Sequence, residues 1–483
     1  MKRINGRVVI TAAALASLVV ANSCGKKKSS NDGSDENPLA SAYPSDLGLS
    51  AFPTSGTKLA DDDNSVTKRP AKEKIEDQEN RIHGRANECI DPRIFKTSHK
   101  DDPQQTSEPC YQFDWDMNPY TYNGTSGGTK TGLNAAGEAC MVAFAREQVN
   151  KAADKVDRGL ALIGGIMCQA KKSGASTALP GVGETIDLSS VMGTALPPGL
   201  TPKTATIKRL ADSSSGAAVY QSVVEVADGR GKTMTTTLTH SPGVDGAESG
   251  VLSQVVAEQD GGAGDSNNSA NKNNAMSINY SKELVDGKSR MRFEVRRASI
   301  VNSITPLTSE GLVNYPGIAA NATNATVHKI AFLAFDMDPE TSAGSLSYWM
   351  NPGGGNTESA RGFLFNVTAS SDGSLVGCGV SGAANNVSIR KAVTDGTVFE
   401  NLKPTNWYHP FENSNTNADR DSGYNDQVGS KITKQCFKRN NATGVYDIDA
   451  AQTTGSRGYD LIEGTANPIA PPPRPAKKVE IKP

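Results

Sequence analysis

Residues 277–296 read SINYSKELVDGKSRMRFEVR, two alternating halves about a short polar centre. Ile278, Tyr280 and Lys282 fall on one side of an extended chain, because successive side chains of a strand point to opposite faces. After Val285-Asp286-Gly287-Lys288 the alternation resumes, with Met291, Phe293 and Val295 on one side and Arg290, Arg292, Glu294 and Arg296 on the other. Asp-Gly is the pair that a two-residue hairpin turn demands, since both of its central residues take positive φ. The stretch predicts an antiparallel hairpin with one buried and one wet face.

The same period of two recurs outward from it. Residues 217–227, 232–241, 250–258, 276–282, 289–301, 327–336, 346–350 and 362–369 all suit strands. Joined by Gly, Asn and Ser turns, they predict a large antiparallel meander in the form of a curved sheet, a sandwich or a soluble barrel. Residues 260–274 (DGGAGDSNNSANKNN) can bury almost nothing and read as a loop. With only 3 Trp, 12 Tyr and 12 Phe, and wet faces rich in Arg, Thr and Ser, the strands fit an outer-membrane barrel poorly.

N-terminal to the meander the period changes to that of a helix. Val142, Ala145, Val149, Ala152 and Val156 recur at steps of three and four, giving residues 138–156 one apolar face. Arg158-Gly159 offers a stop, and a second apolar run, 160–168, ends in Lys171-Lys172-Ser173-Gly174, with cations and a glycine where a helix C-terminus favours them. The expectation is a helix pair. One straight helix would hold Cys140 and Cys168 about 42 Å apart, whereas a disulfide between them needs a hairpin. The fold class expected for the whole chain is therefore α+β, mainly β.

The chain has 483 residues, with 50 Lys and Arg against 52 Asp and Glu. That balance lacks the basic surplus of a nucleic-acid binder, so no nucleic-acid partner is expected. Five His and no Cys-x-x-Cys argue against zinc and haem chemistry, and no cofactor is expected.

Lys2, Arg3 and Arg7 precede an uncharged, mostly apolar run, Val8 to Val20, and small residues lead to Cys24. This is the pattern of a secretory signal peptide, too short for the roughly 20 residues of a spanning helix. Val20-Ala21-Asn22-Ser23-Cys24 resembles the lipobox of bacterial lipoproteins, whose Cys receives diacylglycerol and becomes the mature N-terminus. Ala21-Asn22-Ser23 also suits ordinary signal peptidase, and cysteine parity decides between the two. Of 7 Cys, assigning Cys24 to lipid leaves Cys89, Cys110, Cys140, Cys168, Cys378 and Cys436, an even set for an oxidising compartment. Nearest-neighbour pairing would join Cys89 to Cys110, Cys140 to Cys168 and Cys378 to Cys436. The resemblance implies sorting by the residue after the lipidated Cys; here it is Gly25, which points to the outer membrane.

The expected organisation is a signal peptide over 1–23 and a lipidated Cys24 with a flexible tether and a possible spacer helix over 24–86. A helical disulfide-containing unit over 87–178, an antiparallel β-rich domain over 179–466 and a Pro-rich basic tail over 467–483 follow.

Candidate chemistry is sparse. Gly124-Thr125-Ser126-Gly127-Gly128 matches G-x-S-x-G, but its flanks are polar and no apolar strand precedes it. His83, His99, His240, His328 and His409 lie in polar segments or at strand ends, where surface and turn roles prevail. Asp114-Trp115-Asp116-Met117-Asn118 and Asp336-Met337-Asp338-Pro339-Glu340 are short acidic runs. The loop holding Asp419, Asp421 and Asn425 is the richest in oxygens and the best weak candidate for calcium. Trp115, Trp349 and Trp407, with Tyr348 and Tyr408, are ring platforms or core plugs. The resulting expectation is a non-enzymatic envelope lipoprotein whose β-rich body binds or holds an envelope protein, glycan or lipid. Its rivals are a lipid-anchored hydrolase using Ser126 or a His near Trp407, and a cell-surface adhesin.

Overall fold

The computed structural model describes residues 39–44, 133 and most of 137–451, the longest stretches not described within that span being 258–271, 302–326, 352–359 and 385–432. The backbone groups into Met1–Glu36 and Asn37–Pro483, and every described residue belongs to the second unit. The protein is mainly β, built on one antiparallel sheet of 13 strands in which each strand pairs with its neighbours in sequence. The strands are β1 (Thr185–Asp187), β2 (Leu200–Arg209), β3 (Tyr220–Asp228), β4 (Thr233–Ser241), β5 (Ser249–Ala257), β6 (Lys272–Val285), β7 (Lys288–Val301), β8 (Val327–Met337), β9 (Gly344–Asn351), β10 (Ala360–Ala369), β11 (Leu375–Ala384), β12 (Thr433–Arg439) and β13 (Tyr446–Ile448). Among the described residues two α-helices accompany them, α1 (Cys140–Ser173) and the short α2 (Ser189–Ala195), with a 3-10 turn at Ala40–Ala42. The meander is thus a single sheet and not the two sheets of a sandwich.

The hairpin that decides the fold is β6–β7. Tyr280 pairs with Phe293 and Ile278 with Val295, and Asp286 and Gly287 turn the chain at φ of 52° and 75°. Ile278, Tyr280, Met291, Phe293 and Val295 are all buried. Paired residues share a face, so the register can be followed across the sheet. One lateral row runs Arg209, Tyr220, His240, Gly250, Tyr280, Phe293, Phe335, Leu346, Phe365, Gly379, Gln435, from β2 to β12. Phe293 stacks on Phe335 with centroids 4.6 Å apart, and Phe365 on Phe437 at 5.1 Å.

Helix α1 lies over this row. At its start, the Met141 N–H donates to Gln435 Oε1 of β12 at 2.9 Å, and a Cβ added at Gly379 of β11 would lie 3.0 Å from Met141 Cβ. Phe144 meets Tyr348 of β9 and Phe363 of β10 edge-on, at 5.9 and 4.8 Å between centroids. Gly159 sits against Leu252 of β5 and Thr236 of β4. From Phe144 to Gly159 the helix rises about 22 Å, close to the roughly 24 Å of five strand spacings. The axis therefore crosses the strands nearly at right angles, one helix serving most of the sheet.

This corrects the expected helix pair. One continuous helix runs through both predicted segments, and Gly159 is no stop: a Cβ there would come within 3.3 Å of Leu252 and Thr236, so glycine lets the helix approach the sheet. Packing outweighs the roughly 1 kcal/mol that glycine costs a helix interior. The true stop is Gly174, at φ 68°, where the Lys171-Lys172-Ser173-Gly174 signal placed it. Val142, Ala145, Val149, Ala152 and Val156 are buried in one core that also holds the sheet's apolar rows, so packing continues across the boundary expected at 178. That core takes in Leu39, Ala42 and Tyr43 as well, within the segment expected to be tether, and the Tyr43 hydroxyl donates to the Leu160 carbonyl at 2.8 Å.

Candidate functional site

The face of the sheet turned away from α1 is not simply wet. In β6 to β9 a second register row runs Asn279, Glu294, Ala334, Ser347, and all four are buried, Glu294 to 3% exposure. The next row carries Ser281, Arg292, Asp336 and Ser345. There the charges organise themselves. Arg292 Nε donates to Asp336 Oδ1 at 3.1 Å and its Nη1 to Glu283 Oε2 at 2.7 Å, while Arg290 grips the same Asp336 carboxylate. The Ser281 hydroxyl donates to Glu283 Oε1 at 2.6 Å. The expectation of solvated charges opposite Met291, Phe293 and Val295 is corrected: half-buried charges here are held in pairs, as desolvation requires.

The helix-facing side carries a polar pair, His240 and Tyr280, within the apolar rows. His240 Nδ1 and the Tyr280 hydroxyl lie 2.8 Å apart, their rings stacked with centroids at 6.2 Å. Gly250 stands between them in the register, and a Cβ there would fall 2.3 Å from the Tyr280 hydroxyl. Burial lowers the His240 pKa to about 3. Burial, reinforced by Glu248 and Tyr43, raises that of Tyr280 well above its ordinary value. The imidazole is therefore neutral and locked, a core histidine and not the surface residue that its place at a strand end suggested. Nothing in this arrangement presents a nucleophile to solvent.

Cys378 and Cys436 occupy directly opposed positions on β11 and β12 and form a disulfide, as nearest-neighbour pairing expected. Cys140 and Cys168 are also disulfide-bonded, but they stand 28 residues apart on one helix, so their expected mutual bond is ruled out by about 42 Å of helix. Their partners lie outside the described residues. So do Cys24, Cys89, Cys110, Ser126, His83, His99, His409, Trp115, Trp407, Tyr408 and the calcium candidates Asp419, Asp421 and Asn425. Of the other acidic run, Asp336 is taken by the two arginines, and Asp338 Oδ1 accepts from the Thr341 N–H in a turn. Among the described residues no group of three or more His, Cys, Asp or Glu is placed to hold a metal ion.

Sequence reasoning missed the Glu283, Arg290, Arg292, Asp336 network, although Arg-x-Arg-x-Glu-x-Arg at period two was its visible signal. A wet face and a buried polar face share that pattern.

No protein-family model matches the chain, and no curated protein and no solved structure is significantly similar to it.

Proposed function

We propose that the protein is an exported lipoprotein anchored in the outer membrane through lipid on Cys24, whose β-rich body has a binding or structural role in the cell envelope and no catalytic one. The observation that carries the reading is the state of the cysteines. All four described cysteines are in disulfides, Cys378 with Cys436, and Cys140 and Cys168 with partners of their own. Such bonds persist in oxidising compartments outside the cytosol. Three further cysteines remain for those two partners, which leaves one cysteine over, and Cys24 is the one at the end of an export signal. No described helix is long and apolar enough to cross a membrane; the attachment proposed is a lipid on Cys24. Because Leu39 is already packed in the core, the chain from Cys24 to the body is 15 residues long and spans at most about 50 Å.

Replacing Cys24 by Ser tests this. Wild type is expected in the membrane fraction with incorporated palmitate, and the variant in the soluble fraction with none. Unchanged sedimentation and labelling of the variant would refute the anchor.

A further inference from the structure

Two buried polar atoms at the β12–β13 hairpin, Arg439 Nε and the Tyr446 hydroxyl, have no partner among the described residues. Arg439 and Tyr446 are directly opposed in the β12–β13 pair, so their side chains leave the same face of the sheet. Phe437, two residues before Arg439, shares that face and meets the Tyr446 ring edge-on at 5.6 Å between centroids. Tyr446 is fully buried, and neither its hydroxyl nor Arg439 Nε has a hydrogen-bond partner among the described residues. Native proteins rarely leave such groups unmatched, because each costs the desolvation of its polar atom.

The neighbouring charges favour an anionic partner for these two donors. Arg146 is bound by Glu138 through two hydrogen bonds of 2.7 and 2.5 Å, so that pair is neutral as a whole. Arg439 forms no ion pair with a described residue, so its positive charge is not matched among them. Glu138, Arg146 and Arg439 all act electrostatically on the Tyr446 hydroxyl, and burial pushes its pKa up to about 12, so at neutral pH it keeps its proton to donate. The Ala139 N–H at the start of α1 donates to the Tyr446 carbonyl at 2.8 Å, bringing the positive end of the helix dipole to the same strand. A water could accept from both donors but would leave the cation uncompensated. A charged acceptor answers all three features.

We propose that Arg439 and Tyr446 form a binding site for a small oxyanion, a phosphate or carboxylate group, whose oxygens accept from Arg439 Nε and the Tyr446 hydroxyl.

The test is a thermal-unfolding titration of the full-length protein with sodium phosphate and, separately, sodium acetate, against sodium chloride at matched ionic strength. A saturable rise in the midpoint over chloride is expected with at least one anion, phosphate identifying a phosphoryl ligand and acetate a carboxylate. Arg439→Gln and Tyr446→Phe should each weaken the apparent affinity about tenfold or more, the range for hydrogen bonds to charged groups. In chloride alone, Tyr446→Phe should unfold at the same or a higher temperature, since it removes an unmatched hydroxyl, and this variant carries the test if Arg439→Gln does not fold. No saturable response to either anion, or an undiminished one in Tyr446→Phe, overturns the site. A Tyr446→Phe midpoint that falls in chloride also overturns it, by revealing a hydroxyl already satisfied.

Discussion

The two faces of β6 to β9 are both buried and are filled by opposite chemistry. Beneath α1 the register row is Tyr280, Phe293, Phe335, Leu346; one residue along, on the other side of the same strands, it is Asn279, Glu294, Ala334, Ser347. The first row gains by leaving water, at about 25 cal/mol for each Å² of apolar surface buried. The second gains little from burial, and polar groups hidden on that face must be matched, as Arg292 matches Glu283 and Asp336 in the adjoining row. The contrast teaches that burial and hydrophobicity are separable along a single strand. Stability should therefore reside in the helix-facing side, and the other face should be comparatively tolerant.

The largest effect expected from that contrast is at Phe293, fully buried, stacked on Phe335 and 6.4 Å from the Tyr280 ring. Phe293→Ala should lower the unfolding free energy by about 3–5 kcal/mol in a denaturant titration, the usual cost of an aromatic cavity. A loss under 1 kcal/mol would show that the helix-facing row is not the principal source of stability.

Next comes the His240–Tyr280 pair beneath the helix. With its pKa lowered to about 3, His240 stays neutral in the fold over a range where the unfolded chain, near 6.5, takes up a proton. The unfolded state thus binds more protons between those values, and stability falls as pH falls from 6.5 toward 3, by about 1.4 kcal/mol per pH unit. Above 6.5 the residue contributes no pH dependence. Unfolding followed at pH 7.0 and 4.5 should differ by about 2–3 kcal/mol more in wild type than in His240→Gln. Equal differences in the two proteins would place His240 in water.

How far these features were legible depends on what each residue's pattern encodes. The β6–β7 hairpin was readable to the register, because alternation and Asp286-Gly287 are both local signals. All eight predicted strands form, with ends displaced by a few residues. Five strands, β1, β2, β11, β12 and β13, were not foreseen: β2 contains Pro202, accommodated at a register shift, and β11 is LVGCGVSGAA, whose Gly379 makes room for Met141 of a helix over 200 residues away. Gly159 was misread for the same reason, since a glycine that ends a helix and one that admits a neighbouring sheet look alike in sequence. Leu39 and Tyr43 sit in a Ser-rich and Pro-rich stretch with no period to mark them. The charged network and the Arg439, Tyr446 pair depend on register between strands, and only the residues, not the register, are written locally.

The smallest effect separates the two faces most sharply. Ser253 is buried to 3% exposure on the side away from α1, opposite Thr237 and Ser277 in the register, and its hydroxyl reaches the Thr237 carbonyl at only 3.5 Å. A contact that long contributes little, because hydrogen bonds weaken well before that distance. Ser253→Ala removes one oxygen, leaves no cavity larger than it and exposes no charge, so the change in unfolding free energy should stay within about 1 kcal/mol of zero. Denaturant titration of the purified variant beside wild type measures it. A loss above about 2 kcal/mol would mean that the polar face is held by its hydrogen bonds as firmly as the apolar face is by its rings, and the division of stability between the two would fail.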